Sequence, residues 1–163
     1  SWEADQDLNS AMQNSVNWYF QAIDSQLGIN RVQEFLNKIE YGNQTTSSNL
    51  DLYWSDFSLK ISPLEQVTLL KKFNTNEFHL NSQNVFSVKN AIKIASTPNG
   101  NFYGKTGTGR VNGQDINGWF IGYVETSDNS YYFATNIQSD SNATGKKAFE
   151  ITSNILKKLH IWN

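Results

Sequence analysis

The spacing of apolar residues changes at Pro98-Asn99-Gly100, and this change limits the folds that the chain can adopt. Before this turn signal, apolar residues recur every three to four positions, as in amphipathic helices. After it they form short aromatic and β-branched runs, as in strands, and a last helical stripe follows. The predicted order is therefore a group of helices, an antiparallel meander and a C-terminal helix. This is the order of an α+β fold and not the alternating βαβ order of an α/β fold.

Helical spacing covers most of the first part, about residues 1–97. The two clearest stripes consist of Leu8, Met12, Val16, Tyr19, Phe20, Ile23 and Leu27, and of Val32, Phe35, Leu36 and Ile39. Gly28 is expected to end the helix that carries the first stripe, and the second stripe ends before Tyr41-Gly42-Asn43. Ser62-Pro63-Leu64-Glu65 has a capping serine, a proline suited to the first helical position and a glutamate that completes a capping box. A further helix is predicted from about Ser82 to Ile94.

Antiparallel strands are predicted over about residues 101–138. The runs Trp119–Val124 and Tyr131–Ile137 are strand-like, and Ser127-Asp128-Asn129-Ser130 forms a hairpin turn between them. Asn112-Gly113 is another turn signal. A C-terminal helix is predicted over about residues 144–159. Its apolar positions are Ala148, Ile151, Ile155, Leu156 and Leu159.

Composition excludes several classes of function. The 163 residues contain no Cys, so disulfides, thiolate zinc sites and thiol nucleophiles are excluded. A formal net charge of −2 gives no electrostatic reason to expect nucleic acid. No apolar run approaches the roughly 20 residues of a membrane helix. His79 and His160 lie far apart without an acidic ligand pattern, so we expect no metal and no cofactor.

The segment Lys105-Thr106-Gly107-Thr108-Gly109 is the strongest candidate for a ligand site. On a strand, Lys105 and Gly107 point to one face and Thr106 and Thr108 to the other. A glycine lets a ligand approach the backbone, a lysine and a hydroxyl can bind a carboxylate, and the amide of Thr108 can act as an oxyanion donor. The alternative is an ordinary hairpin edge with an exposed lysine.

Three earlier features each have a structural alternative. Ser15, in Ser15-Val16-Asn17, stands where a helix N-cap belongs. Gly42, in Tyr41-Gly42-Asn43, stands where a helix C-cap belongs. Trp54 suits a core or loop anchor. Taken singly, each alternative is the better interpretation, whereas their joint order along the chain favours a functional one.

The order of these motifs along the chain resembles that of the penicillin-recognising serine transferase superfamily. Its elements are Ser15-Val16-Asn17, Tyr41-Gly42-Asn43, Trp54 followed by Ser58–Gln66, and Lys105–Gly109. Within the superfamily the chain looks like class D β-lactamases, and most closely like the sensor domain of BlaR/MecR-type β-lactam signal transducers. The resemblance implies a serine β-lactamase-like transpeptidase fold, of which residues 1–163 are the C-terminal two-thirds.

The resemblance also implies roles for individual residues. Ser15 resembles the second-motif serine, which relays protons to the lactam nitrogen. Lys105 and Thr106 resemble the residues that bind the antibiotic carboxylate, with Gly107 beside them, and the amide of Thr108 would form half of the oxyanion hole. Trp54 resembles the tryptophan that covers the active-site lysine. Lys147 lies where class D enzymes often have a carboxylate-binding arginine; the alternative is a solvated helix lysine. Tyr41 and Gly42 are expected to be structural.

The chain departs from the family in two respects. No serine is followed by a lysine three positions later, so the nucleophile and its lysine base are expected upstream of Ser1, and the chain alone is not expected to be acylated. In addition, class D hydrolases usually have an apolar residue at the position of Asn17, which favours a lysine carbamate that activates the deacylating water. A polar Asn17 would disfavour the carbamate and stall deacylation. The alternative is that Asn17 merely caps a helix.

In view of these two departures we consider three functions, given in order of preference. The first is a β-lactam sensor that is acylated stoichiometrically and signals through a membrane-embedded region of the same parent protein, at the extracellular face of the membrane. The second is a class D β-lactamase, which would be a secreted turnover enzyme. The third is a non-catalytic remnant or interaction module of the same fold. The partners expected for the first function are β-lactam antibiotics and that membrane region.

Overall fold

The computed structural model describes residues 2–46, 50, 53–55 and 57–162. They form two compact units. The helical unit comprises Ser1–Glu65 and Lys72–Ile92, and the sheet unit comprises Gln66–Lys71 and Lys93–Asn163. No helix among the described residues is both long enough and apolar enough to cross a membrane.

The helical unit holds four complete helices and both ends of a fifth. These are α1 (Leu8–Gln13), α2 (Asn17–Leu27), α3 (Ile29–Lys38), α4 (Pro63–Asn74, whose residues 66–71 group with the sheet unit) and α5 (Ser82–Ala91). Gly28 ends α2 and begins α3 with a φ of 79°, which a glycine adopts without steric cost, so the predicted stop is confirmed. Val32 and Leu36 of α3 form a buried cluster with Tyr53.

The predicted capping box at the start of α4 is present. The Ser62 amide donates to Oε2 of Glu65 at 2.8 Å, and the Glu65 amide donates to Oγ of Ser62 at 3.2 Å. Pro63 is the first helical residue. An N–H at this position has no partner within the helix, so the missing N–H of proline costs no helical hydrogen bond. Local chemistry alone was sufficient to locate this helix start.

The sheet unit contains an antiparallel meander in the order β1-β2-β3-β4. The strands are β1 (Lys93–Thr97), β2 (Gly100–Val111), β3 (Gln114–Thr126) and β4 (Ser130–Gln138). Asn112 and Gly113 connect β2 to β3 with φ values of 49° and 79°, the left-handed pair that a two-residue hairpin needs. The α+β class and the predicted meander are therefore confirmed.

The last helix, α6 (Gly145–Lys158), packs on one face of this sheet. The core between them is largely aromatic, since Phe102 and Phe120 meet edge to face at 6.0 Å beside Ala148 and Leu156. Thr144 caps the helix by accepting a bond from the Lys147 amide at 3.2 Å. This packing fixes the N-terminus of α6 against the middle of β2.

Two local predictions are wrong. The helix predicted to reach Ile94 ends at Ala91, and the chain enters β1 at Lys93. Lys93–Thr97 pairs with β2 in a hairpin, and this strand pairing replaces the helix that was predicted for Lys93 and Ile94. Gly42 is not a C-cap, because α3 ends at Lys38 with Ile39 as its cap. Gly42 instead has a φ of 48°, and a Cβ there would lie 1.8 Å from the Lys60 carbonyl oxygen.

Candidate functional site

The Lys105–Gly109 segment lies in β2, as predicted. Its ladder with β3 is continuous here and includes the pairs Lys105↔Ile121 and Gly107↔Trp119. The ladder with β1, in contrast, ends at the pair Lys93↔Tyr103. Residues 104–111 of β2 therefore extend past β1, which leaves this stretch at the β1-side border of the sheet.

The side chains of this segment alternate between the two faces of the sheet. Oγ1 of Thr108 accepts a bond from the Gly145 amide of α6 at 2.9 Å. A Cβ on Gly145 would lie 2.9 Å from the Cβ of Thr106. Both threonines therefore face α6, and the strand alternation places Lys105 and Gly107 on the opposite face. The predicted common face of Thr106 and Thr108 is confirmed.

Two glycines allow α6 to approach the sheet this closely. A Cβ on Gly145 would come within 2.7 Å of the Gly107 carbonyl oxygen, and a Cβ on Gly118 would come within 2.4 Å of the Thr144 carbonyl oxygen. Neither glycine was predicted to shape the site. Only the packing of the helix start on the sheet reveals their role, because nothing in the local sequence distinguishes them.

Lys105 is half-buried, so the alternative of an exposed hairpin-edge lysine is wrong. Its Nζ donates to the Thr106 carbonyl oxygen at 2.8 Å. Burial lowers the pKa of Lys105, because a low-dielectric environment disfavours its charged form. A cation in such an environment also attracts an anionic ligand more strongly than one in water does.

Tyrosines occupy the same face of the sheet as Lys105. The rings of Tyr103 and Tyr123 stack at 4.7 Å, and the Tyr132 ring lies 5.6 Å from that of Tyr123. Burial and the neighbouring Glu125 carboxylate raise the pKa of Tyr103 to about 12. Tyr103 is therefore neutral at physiological pH, and the three rings form an aromatic layer on the face of the sheet that carries Lys105.

Ser15 lies in the turn between α1 and α2, and it is not an N-cap. The N-cap of α2 is Val16, which makes no side-chain capping bond. Ser15 has a φ of 52°, an uncommon conformation for a residue other than glycine. The turn is held by its buried neighbours, since the amide of Val16 donates to the Ala11 carbonyl oxygen at 2.9 Å and both residues are fully buried.

Asn17 is the first residue of α2 and is exposed. It stands one residue after the N-cap position, so the alternative that Asn17 caps the helix is also wrong. Ser15 and Asn17 thus flank a buried valine at one corner of the helical unit. Their predicted roles in proton relay and in tuning a lysine remain predictions.

Trp54 belongs to the helical unit, where it packs against the cluster of Val32, Leu36 and Tyr53. The hydroxyl of the neighbouring Tyr53 donates to Oδ2 of Asp24 at 3.1 Å. Nothing in the sequence distinguishes Asp24, because an acidic residue in a helix ordinarily indicates a solvated face.

Lys147 is exposed in the first turn of α6. This exposure favours the alternative of a solvated helix lysine. Within the sheet unit, the fold brings the Lys105–Thr108 segment together with the start of α6 that carries Lys147. The described residues contain no group of three or more His, Asp or Glu side chains that could hold a metal ion.

Known proteins resemble this chain over almost its whole length. The family model described as penicillin binding protein transpeptidase domain matches residues 1–157. Regulatory protein BlaR1 of Bacillus licheniformis is 48% identical over 161 residues, which are 99% of this chain and 27% of that protein. The methicillin resistance mecR1 protein of Staphylococcus aureus is 44% identical over 160 residues, which are 98% of this chain and 27% of that protein.

Solved structures share the fold. The C-terminal domain of the Bacillus licheniformis BlaR penicillin-receptor matches with a TM-score of 0.94 and 47% identity, covering 99% of this chain and 65% of that chain. A class D β-lactamase from Bacillus subtilis matches with a TM-score of 0.92 and 37% identity, covering 100% of this chain and 66% of that chain. The chain thus spans about a quarter of the curated relatives and just under two thirds of these solved chains.

These matches confirm the resemblance and the transpeptidase fold that the order of motifs implied. The family model accounts for residues 1–157 of a 163-residue chain, and the solved relatives reproduce the fold described above. The chain belongs to the penicillin binding protein transpeptidase domain family.

Proposed function

We propose that this chain is part of a β-lactam sensor domain that a penicillin or cephalosporin acylates and that deacylates slowly. The observation that carries the proposal is the half-buried Lys105 beside Gly107, at the border of the sheet, in a chain 48% identical to a BlaR1 regulator. A buried lysine next to a glycine offers a carboxylate both a positive charge and close access to the backbone.

In the proposed reaction, a serine Oγ attacks the lactam carbonyl carbon, the lactam C–N bond breaks, and the serine proton reaches the departing nitrogen through Ser15. Lys105 and Thr106 bind the ligand carboxylate. Since these two side chains lie on opposite faces of β2, a ligand along the strand border past Tyr103 reaches both. The Thr108 amide stabilises the developing oxyanion.

The acylated serine lies outside these 163 residues in this proposal. None of the serines in the chain is followed three positions later by a lysine, and the relatives are considerably longer than the chain. The complete protein would therefore supply the Ser-x-x-Lys pair, and residues 1–163 would supply the second and third motifs of the site.

Asn17 and the relatives favour a sensor over a hydrolase. The exposed amide of Asn17 makes no helix cap, which leaves it available to hydrogen-bond a lysine and disfavour a carbamate. Proteins named BlaR1 and mecR1 are 48% and 44% identical to the chain, against 33% for β-lactamase OXA-10 of Pseudomonas aeruginosa. The sensor would lie at the extracellular face of the membrane and signal to a membrane-embedded region of its parent protein.

Labelling of the complete protein with a fluorescent penicillin tests this proposal. We expect one persistent label per protein, strongly reduced labelling of Lys105→Ala, and unchanged labelling of the control Lys158→Ala at the exposed end of α6. Continuous hydrolysis of a chromogenic cephalosporin would instead support the β-lactamase alternative. A complete protein that contains Ser-x-x-Lys and takes no label would support the non-catalytic remnant.

A further inference from the structure

Two exposed tryptophans lie next to the turn that carries Ser15. Trp2 is 46% exposed and Trp18 is 43% exposed, so neither ring is part of the core. The Trp2 indole N–H donates to the Asn14 carbonyl oxygen at 3.1 Å, and the Trp18 indole N–H donates to the Trp2 carbonyl oxygen at 2.7 Å. Since an indole has a single donor, both tryptophans use theirs on backbone groups around this turn.

These two bonds attach the segment before α1 to both sides of Ser15. Asn14 directly precedes Ser15, and Trp18 is the second residue of α2, which follows the turn. The bond from Trp2 spans 12 positions, and the bond from Trp18 spans 16. The turn is therefore closed by a residue that lies outside both helices.

The conformation of Ser15 depends on the peptide group that precedes it. The Asn14 carbonyl and the Ser15 amide belong to one planar unit, and the φ of Ser15 describes the rotation of that unit about the N–Cα bond. A φ of 52° is disfavoured for a residue with a Cβ, so neighbouring contacts must maintain it. Rotation of the unit to a negative φ would relieve this strain and would turn the Asn14 oxygen away from Trp2.

Two contacts hold this peptide group, one at each end. Its N–H donates to the Met12 carbonyl oxygen at 3.3 Å, which is longer than the roughly 2.7–3.2 Å of most such bonds. Its carbonyl oxygen accepts the 3.1 Å bond from Trp2, which lies within that range. The bond of the Val16 amide to Ala11 fixes the residue after Ser15 and not the peptide group before it. Loss of the Trp2 bond would therefore leave this group with its longer contact.

We propose that Trp2 is a positioning residue, which keeps Ser15 in its left-handed conformation by holding the carbonyl of Asn14. Trp18 supports this arrangement through its bond to the Trp2 backbone. The inference rests on the proposed function, in which Ser15 relays the serine proton to the lactam nitrogen. A proton relay needs its hydroxyl within hydrogen-bond reach of both groups, so a displaced Ser15 backbone would slow acylation.

The first test follows the turn directly and needs no β-lactam. In the complete protein, benzothienylalanine replaces Trp2; this isostere keeps the shape of the ring and has sulfur in place of the N–H. Hydrogen exchange is measured by mass spectrometry on peptides that cover residues 12–18. We expect exchange about fivefold faster than in the wild type, which is the factor that one hydrogen bond of ordinary strength gives. Unchanged exchange in the isostere would overturn the proposal.

Two further variants accompany the isostere. Trp18→Phe removes only the supporting bond, so we expect its exchange to lie between those of the wild type and the isostere. Tyr131→Phe is the control, because it removes a polar hydrogen from an exposed ring on β4, and it should leave the exchange of residues 12–18 unchanged. Thermal melts check that each protein is folded; if the isostere is not, Trp2→Phe takes its place.

The second test measures acylation by a fluorescent penicillin over a range of concentrations, which separates the dissociation constant from the acylation rate constant. We expect the isostere to lower the rate constant by up to about fivefold at an unchanged dissociation constant, because Ser15 acts while bonds break. In a Ser15→Ala background, followed over hours, the isostere should cause no further loss. Tyr131→Phe should match the wild type.

The two tests separate the inference from the proposed function. An equal loss of rate with and without the Ser15 hydroxyl would show that Trp2 does not act through Ser15. A weaker dissociation constant at an unchanged rate constant would show that Trp2 contacts the ligand instead, and either result would overturn the positioning role. A wild-type protein that takes no label would overturn the proposed function, while hydrogen exchange would still decide whether Trp2 holds the turn.

Discussion

The backbone amide of Gly145 donates a 2.9 Å hydrogen bond to Oγ1 of Thr108, which lies 37 residues earlier in the chain. This bond joins the first residue of α6 to β2. The first four amides of a helix have no partner within the helix, and the Thr108 hydroxyl satisfies one of them. The side chain of Thr108 is therefore committed to the fold, while we propose its backbone amide as the oxyanion donor.

We expect Thr108→Val to lower the free energy of unfolding by about 1–2 kcal/mol, because it leaves the Gly145 amide without its acceptor in a partly buried place. Thr108→Ser keeps the hydroxyl and should stay within about 0.5 kcal/mol of the wild type. Urea denaturation of both variants measures the difference. Equal stability of the valine and serine variants would show that the bond contributes nothing.

Alanine substitution should lower stability at Gly145 and leave it nearly unchanged at Gly107. Gly145→Ala would place a methyl group 2.7 Å from a backbone oxygen, so we expect destabilisation of about 1–3 kcal/mol. A Cβ on Gly107 would meet only the Cβ of Trp119, at an ordinary 3.7 Å. Gly107→Ala should therefore leave stability nearly unchanged.

Penicillin labelling gives the second measurement on Gly107→Ala. Its methyl group would stand on the face of β2 that carries Lys105, where we propose that the ligand approaches. We expect slower labelling at unchanged melting temperature. Unchanged labelling by this stable variant would argue against binding along that face.

Replacement of Lys105 should separate its ligand role from its effect on the fold. Since burial lowers its pKa below the ordinary 10.5, the unfolded chain binds more protons than the folded one between the folded pKa and 10.5. Stability therefore rises as the pH increases through that window, and the cost of burying the charge is fully present at neutral pH.

We expect Lys105→Met to be at least as stable as the wild type at pH 7 and to lose penicillin labelling. Its stability advantage should shrink as the pH approaches 10.5, where the wild-type lysine becomes neutral in both states. Thermal melts at a series of pH values, with Lys158→Met as the exposed control, measure this. A difference that grows with pH would contradict the burial of a charged Lys105.

Asn17→Val should shorten the lifetime of the acylated protein, because an apolar residue at this position favours the lysine carbamate of a hydrolase. Asn17 is exposed and makes no helix cap, so we expect the free energy of unfolding to change by less than about 0.5 kcal/mol. Loss of a fluorescent label over time measures the lifetime. Asn9→Val, on the exposed face of α1, is the control, and equal lifetimes in both variants would argue against a role for Asn17.

Interactions between near neighbours in the sequence were predicted correctly. The Ser62–Glu65 capping box, the stop at Gly28 and the Asn112-Gly113 hairpin each depend on the chemistry of two to four consecutive residues. Such features follow from backbone preferences and side-chain hydrogen bonds that do not need the rest of the fold.

Predictions failed where pairing and packing with other residues, and not the local pattern, decide the conformation. The helix predicted from Ser82 includes Lys93 and Ile94, yet Lys93–Thr97 pairs with β2 as a strand. Gly42 ends no helix, but the approach of the Lys60 backbone requires it to be glycine. Ser15 adopts a φ of 52° because buried neighbours on both sides fix the turn, and not because it caps α2.

The sequence by itself determined the α+β order, the family and the positions of two motifs, because these are written in short patterns and their order along the chain. Only the tertiary structure revealed that Lys105 is half-buried, that α6 is bonded to Thr108 and that Asp24 accepts a bond from Tyr53. Burial and hydrogen bonds between distant residues depend on how the elements pack, and no local pattern encodes that packing.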